Sequence, residues 1–195
     1  MVRASSSPYQ RYYCPCVIVC HGLSEFVVFS EIKRLLRIPM EVYFDHNNGL
    51  NIESIPKFLT VRFMKNPGSF RKEFSHAPIK CSKNGFEDFR LYFVMDVDQA
   101  TAKQANDFYS KALFKNHWCS AYVYPVLSRP NLDVVMSKAG YSIDLAHKGD
   151  SYGQIMDRVF LEDLPEFSSK FKTIRSTNIS SLIDYLLESH DKMKP

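Results

Sequence analysis

An α/β fold built on a parallel sheet is predicted by three observations. Residues 16–21 (CVIVCH) and 90–95 (RLYFVM) are short, unbroken apolar runs, as strands buried on both faces require. Other segments carry apolar residues at helical spacing. The resulting order is strand, helix, strand, loop, strand, helix, strand, helix. That is the pattern of crossovers in a parallel sheet, whose active groups gather at the carboxyl ends of the strands.

The first run ends at His21, and from Ser24 the period changes. Val28, Ile32, Leu35 and Leu36 recur at helical spacing, with Glu31, Lys33, Arg34 and Arg37 on other faces. Ser24 is the expected N-cap, and Pro39 enforces a stop after Ile38. Met40–Phe44 alternates as a second strand and enters a turn-rich loop, DHNNGLNIES. A short helix is expected over Ile55–Phe63. Pro67–Asp88 reads as irregular, broken by Pro67, Gly68, Pro78 and Gly85. Arg90–Met95 is the strongest strand of the chain. Gln99–Phe114 is the clearest helix, with Ala102, Ala105, Phe108, Tyr109, Ala112 and Leu113 toward the core. Trp118–Val126 is a further strand, and Asn131–Tyr141 a short helix closed by Gly140. Ile179, Leu182, Ile183, Leu186 and Leu187 then make a narrow apolar stripe. No internal repeat or low-complexity tract interrupts this order.

Composition removes several classes. A hydrophobic fraction of 45% with 14% aromatics is that of a globular chain, not a disordered one. No apolar run approaches the ~20 residues of a membrane span. The first sixteen residues have no apolar h-region, which argues against a secretory signal. Five cysteines, an odd number without regular spacing, fit reduced thiols of a cytoplasmic protein. Cys14, Cys16, Cys20 and His21 do not read as a zinc site, because on a straight strand Cys16 and Cys20 point one way and His21 the other. The net charge of +4 permits an anionic partner without requiring one.

Both central strands stop on polar, metal-friendly clusters. The first ends on His21, Gly22, Ser24 and Glu25, the second on Asp96 and Asp98. Two residues apart in extended chain, Asp96 and Asp98 leave on the same side. Such a pair is costly to ionise unless a cation lies between the carboxylates. Hard oxygens of this kind suit Mg²⁺ or Mn²⁺, completed by water and phosphate. Glu25, in the first turn of its helix, is placed to join them, and Gly22 at that helix start permits a close phosphate. The plain alternative is a solvated turn.

These residues resemble the Toprim domain. Its first motif, Glu-Gly-x-x-Glu at the end of an apolar strand, corresponds to HGLSE (residues 21–25); its second, Asp-x-Asp after another strand, corresponds to Asp96-Val97-Asp98. The domain is shared by topoisomerases, primases, nucleases of the overcoming-lysogenization-defect type, and small nucleases of bacterial phage defence. SRPNLDVVMSKAGY, KGDSYGQIMDRVF and STNISSLIDYLL resemble RloB-like and PARIS-type effectors, extending the similarity from Cys16 to Leu187. The implied division is a tail over 1–15, a Toprim-like domain over 16–145 with an irregular basic insertion over about 62–88, and a helical extension over 146–195. The resemblance implies a metal-dependent endonuclease of DNA or of RNA, transfer RNA included, acting in phage defence under an ABC-type ATPase partner. A homodimer is left open.

One departure matters. His21 stands where the family has the glutamate proposed as general acid/base. A neutral imidazole accepts a proton near pH 7 and ligates Mn²⁺, but is a poor ligand for Mg²⁺. Three readings follow: His21 takes over proton transfer, the site has changed metal, or the module is catalytically silent and only binds nucleic acid or a partner. Asp133 is either a third carboxylate or a residue suited to the positive end of a helix opened by Pro130 or Asn131. Lys148 is either a point charge for the scissile phosphate or a surface lysine in a Gly-containing loop. Arg62, Lys65, Arg71, Lys72, Lys80 and Lys83, interleaved with Phe63, Phe70 and Phe74, suit single-stranded nucleic acid. Equally, they suit a solvated flap pinned to the core by its phenylalanines.

Overall fold

The computed structural model describes residues 13–46 and 49–194. The strand β1 (Cys16–Cys20) leads into helix α1 (Leu23–Leu36) and then β2 (Glu41–Tyr43). After α2 (Ile55–Phe58) and α3 (Pro67–Glu73) come two short strands, β3 (Cys81–Ser82) and β4 (Gly85–Phe86). The second half holds β5 (Arg90–Asp96), α4 (Ala102–Tyr109), β6 (Val123–Ser128) and α5 (Leu132–Lys138). Three further helices follow: α6 (Lys148–Met156), α7 (Leu164–Lys172) and α8 (Ile179–Met193).

The main sheet has four strands in the order β2-β1-β5-β6, all parallel. This is the α/β, Rossmann-like parallel sheet flanked by helices that the strand patterns predict. From β1 the chain steps outward to β2, then returns to place β5 on the other side of β1. The switch point therefore lies between β1 and β5, where the two connections diverge and leave a crevice at the carboxyl ends.

Alternation assigns each strand residue to one of two buried layers. Cys16, Ile18, Cys20, Tyr92, Val94 and Val126 pack with α1 and with apolar residues of α5 to α8. Val17, Val19, Leu91, Phe93, Met95 and Leu127 face α2, α3 and α4 on the other side. Segment 146–194 thus shares its core with α1 and the sheet. Arg90 helps to hold α8, its guanidinium lying 4.5 Å from the Tyr124 ring and 4.0 Å from the Tyr185 ring. Among the described residues no helix is long and apolar enough to cross a membrane.

Several local expectations are corrected. Gly22, not Ser24, caps α1; Glu25 reaches back to the Gly22 N–H and so sets the helix start two residues earlier than the side-chain cap rule suggests. The helix expected over Ile55–Phe63 ends at Phe58. Pro67–Asp88 is not irregular: Pro67 occupies the first turn of α3, Asn66 caps it, and residues 81–86 form a hairpin. The long helix over 99–114 breaks where Lys111 enters the left-handed region (φ 65°), and a 3₁₀ turn over Ala112–Phe114 follows. The break buries Phe114 and leaves Tyr109 55% exposed; Ala102 and Ala112 are also exposed against expectation, while Ala105, Phe108 and Leu113 pack against the core as expected. Trp118–Ala121 is likewise a 3₁₀ turn, its start capped by His117, so that strand begins at Val123.

Gly85 locks the hairpin. Its φ is +125°, and a Cβ there would clash with Tyr122 Oη, because that hydroxyl accepts the Phe86 N–H. Gly85→Ala is expected to cost about 2–3 kcal/mol from backbone strain and the lost hydrogen bond. Urea unfolding checks this, as a lower midpoint with an unchanged slope.

Candidate functional site

The crevice at the β1/β5 switch point is a hollow of about 440 Å³ that collects His21, Glu25, Asp96, Asp98, Asp133 and Lys148. Every residue predicted from the two strand ends lies in it. Four segments supply them: the β1–α1 turn, the end of β5, the start of α5, and the start of α6. Val97 explains the spacing of the aspartates. Its N–H donates to the carbonyls of Ser128 (3.2 Å) and Pro130 (2.9 Å), and its side chain joins the apolar layer. Asp96 and Asp98, on either side, are left to the crevice.

Each carboxylate has a distinct environment. Glu25 is 2% exposed, and its Oε2 accepts the Gly22 N–H at 3.0 Å. Burial pushes it up to about 7, against that hydrogen bond, with Asp133 adding repulsion and Lys148 opposing it. Asp96 is pushed up to about 8 by burial and then by Glu25, although its Oδ1 accepts the Leu132 N–H at 2.9 Å; Asp98 and Asp133 repel it further. Asp98 is exposed and accepts from Asn131 Nδ2 at 3.5 Å. Asp133 is bound from α6 by both Lys148 Nζ and Tyr152 Oη.

The crevice therefore carries more negative charge than it can hold alone. Glu25 and Asp96 keep protons near neutrality as an interacting pair. Their folded values are raised, so their contribution to stability is full below the ordinary carboxylate range and is lost as pH rises through 7 to 8. The melting temperature of the cation-free protein is expected to fall by at least about 5 °C between pH 5 and pH 8.5. Calorimetry in chelator checks this; a flat or rising profile would show that the pair ionises without penalty.

His21 follows β1 directly. Its backbone N–H donates to Val94 and its carbonyl accepts from Leu50, at 2.9 and 3.0 Å. The ring is half-buried rather than open to solvent, and its Nδ1 is buried with no partner among the described residues. Burial lowers the imidazole from its ordinary value, against the pull of Asp98, so the ring is neutral at pH 7.

Among the described residues no three His, Cys, Asp or Glu side chains are already gathered around one ion position. The expected trio of Glu25, Asp96 and Asp98 shares one crevice but not one point, because Glu25 is turned to its helix cap. The fit to Mg²⁺ or Mn²⁺ rests on Asp96 and Asp98. Two carboxylates suffice for ions that complete an octahedron with water and phosphate, and the raised state of Asp96 marks where positive charge is missing. Cys14, Cys16 and Cys20 are buried free thiols; burial raises all three and makes them poor thiolates.

The basic segment lies elsewhere. Phe70 and Phe74 are buried in the core and Phe63 is half-buried against Tyr43, Phe58 and Phe74, so these rings are not a stacking surface. Arg62, Lys65, Arg71, Lys72 and Lys83 are exposed, and Lys80 is paired with Glu87 and Asp88. Arg71 and Lys72 border a hollow with Pro78 and Ile79, and the Pro78 carbonyl accepts from the Cys14 N–H before β1. The Lys80 carbonyl accepts from the Glu87 N–H just before β5. Arg71, Lys72 and Lys80 therefore sit at the amino ends of the strands, about 20 Å from the crevice by the length of β5.

Leu132 and Tyr152 belong to the site although the strand-end pattern does not mark them. For Tyr152 a signal exists: it follows Lys148 by four residues, so both reach Asp133 from one face of α6. Fold and site together define an α/β parallel-sheet protein with an acidic crevice at its switch point. No family model, curated protein or solved structure matches the chain.

Proposed function

We propose that the chain is a Toprim-like, metal-dependent endonuclease acting on RNA or DNA, with Asp96 and Asp98 as the residues that hold Mg²⁺ or Mn²⁺. The single observation that carries this is the convergence of four carboxylates and one neutral histidine at the switch point of a parallel sheet. Bound there, the ion supplies charge neutralisation to a phosphodiester. His21, neutral and half-buried, accepts the proton of the attacking water. Glu25 holds the β1–α1 turn in place through Gly22 and tunes Asp96 by repulsion. Asp133 and Tyr152 fix the Lys148 end of the crevice, from which the ammonium reaches a phosphate oxygen. The family resemblance of residues 21–25 and 96–98 supports an effector of phage defence with an ABC-type ATPase partner.

A second reading is a catalytically silent module that binds nucleic acid or a protein. Histidine in place of the family glutamate favours it, as does the turning of Glu25 toward its own helix start. Parallel incubation with total transfer RNA and plasmid DNA, in Mg²⁺, in Mn²⁺ and in chelator, separates the two. Cleavage in either ion, lost in chelator, supports the nuclease. Intact substrates under all conditions support the silent module.

A further inference from the structure

An acidic crevice repels the polyanion it is proposed to cut, and its one lysine is already engaged by Asp133. The grip on the substrate must come from cations outside the crevice at the same end of the sheet. Such cations exist, outside the basic segment over 62–83. Ser128, the last residue of β6, pairs with Asp96 in register, and Arg129 follows it immediately. A second segment is stitched alongside: Arg129 N–H donates to Ser176 at 2.9 Å, and Ser128 forms an antiparallel bridge with Thr177. Asn178 fixes this junction to the β6 edge, accepting from Leu127 N–H at 2.8 Å and donating to Pro125 at 2.9 Å.

This junction walls a hollow of about 180 Å³ bordered by Tyr109, Arg129 and Arg175, with no acid among its lining residues. Arg129 and Arg175 are both exposed, and neither guanidinium has a hydrogen-bond acceptor or an acidic partner among the described residues. Lys138 Nζ lies 3.4 Å from Ser176 Oγ at the same junction. Tyr109 is 55% exposed at the end of α4, with no ring neighbour among the described residues. Two unpaired planar cations beside an exposed aromatic ring, on a rigid floor, are the elements that take a phosphate backbone and a stacked base.

We infer that Arg129 and Arg175 hold the phosphates, and Tyr109 a base, of an unpaired nucleic-acid segment leading into the Asp96/Asp98 crevice. The inference rests on the nuclease reading but concerns binding, which is measured without catalysis. Unpaired strands are favoured because a base inside a duplex offers no free face to Tyr109.

The test uses the full chain carrying Asp96→Asn, in chelator and low salt, and follows fluorescence anisotropy of a labelled single-stranded 12-mer and of its duplex. Arg129→Gln with Arg175→Gln is expected to weaken single-strand binding at least about 30-fold. It also flattens the log–log salt slope by about 1.4, two contacts at about 0.7 each for single strands. Tyr109→Ala is expected to weaken single-strand binding about 10-fold and duplex binding less. Arg71→Glu with Lys72→Glu, at the far end of the sheet, serves as comparison and is expected to change affinity less than the arginine pair. Unchanged melting temperatures confirm intact folds, as suits exposed positions. Binding that survives the arginine pair with an unaltered salt slope overturns the inference and leaves the nuclease reading standing. If the Asp96→Asn chain binds neither probe, the inference falls, and the nuclease reading is decided separately by the cleavage assay.

Discussion

Asp96→Asn together with Asp98→Asn is expected to abolish cation-dependent cleavage while making the cation-free protein more stable at pH 8. Loss of both proposed ligands should cost well over the ~100-fold that follows from disturbing a ligand's outer partners alone. The stability gain has a separate cause. The asparagine that replaces Asp96 keeps an acceptor for the Leu132 N–H but never ionises beside Glu25. Folded Asp96 is raised to about 8, so stability is lost as pH climbs from the ordinary carboxylate range toward that value. The loss is at most about 1.4 kcal/mol for each pH unit. The variant should therefore match wild type at pH 4 and melt several degrees higher at pH 8. Calorimetry at both pH values, beside the cleavage assay, reads the two effects on one preparation. A variant less stable than wild type at pH 8 would mean that Asp96 is held as a favourable anion, contrary to the charge balance described.

His21→Ala is expected to lower cleavage by about 10²–10⁴-fold if the imidazole is the base. Because the ring is half-buried, the substitution also removes packing, and a fall of a few degrees in melting temperature is expected without loss of the fold. Activity of wild type should rise with pH through a value below 6.5, since burial disfavours the charged ring. His21→Glu places a carboxylate oxygen beside Asp98. It should destabilise the cation-free protein further and shift preference from Mn²⁺ toward Mg²⁺, the harder ion. Activity gained by His21→Glu over a wild type silent with every metal would identify the natural protein as a binding module. Activity kept by His21→Ala would leave the proton to Glu25 or to solvent.

What could be read from the sequence depended on range. Cys16–Cys20 and Arg90–Asp96 are buried on both faces, and an unbroken apolar run reports that directly. With their order known, His21, Glu25, Asp96 and Asp98 fall at the same end of the sheet, and Asp133 and Lys148 arrive there too. The failures arise where a tertiary contact outvotes a local signal. Lys111 in the left-handed region ends a helix that the apolar spacing would carry to Phe114. Phe63, Phe70 and Phe74 have the look of a stacking series among basic residues, but the sheet needs a cover on that face and claims their rings. The capping hydrogen bond of Glu25 turns an expected ligand toward its own helix start. Arg129 and Arg175 are distant in the chain and share no motif; only the bridge from Ser128 to Thr177 brings their segments together.

We propose that Asp96 and Asp98 hold a divalent cation at the switch point. Isothermal titration of Mn²⁺ into wild type and into Asp96→Asn with Asp98→Asn, at pH 6 and pH 8, tests it most directly. Saturable binding to wild type is expected, tighter at pH 8 because the ion displaces protons from the Glu25–Asp96 pair, with no specific binding to the variant. Equal binding by wild type and variant, or none by wild type at pH 8, would contradict it.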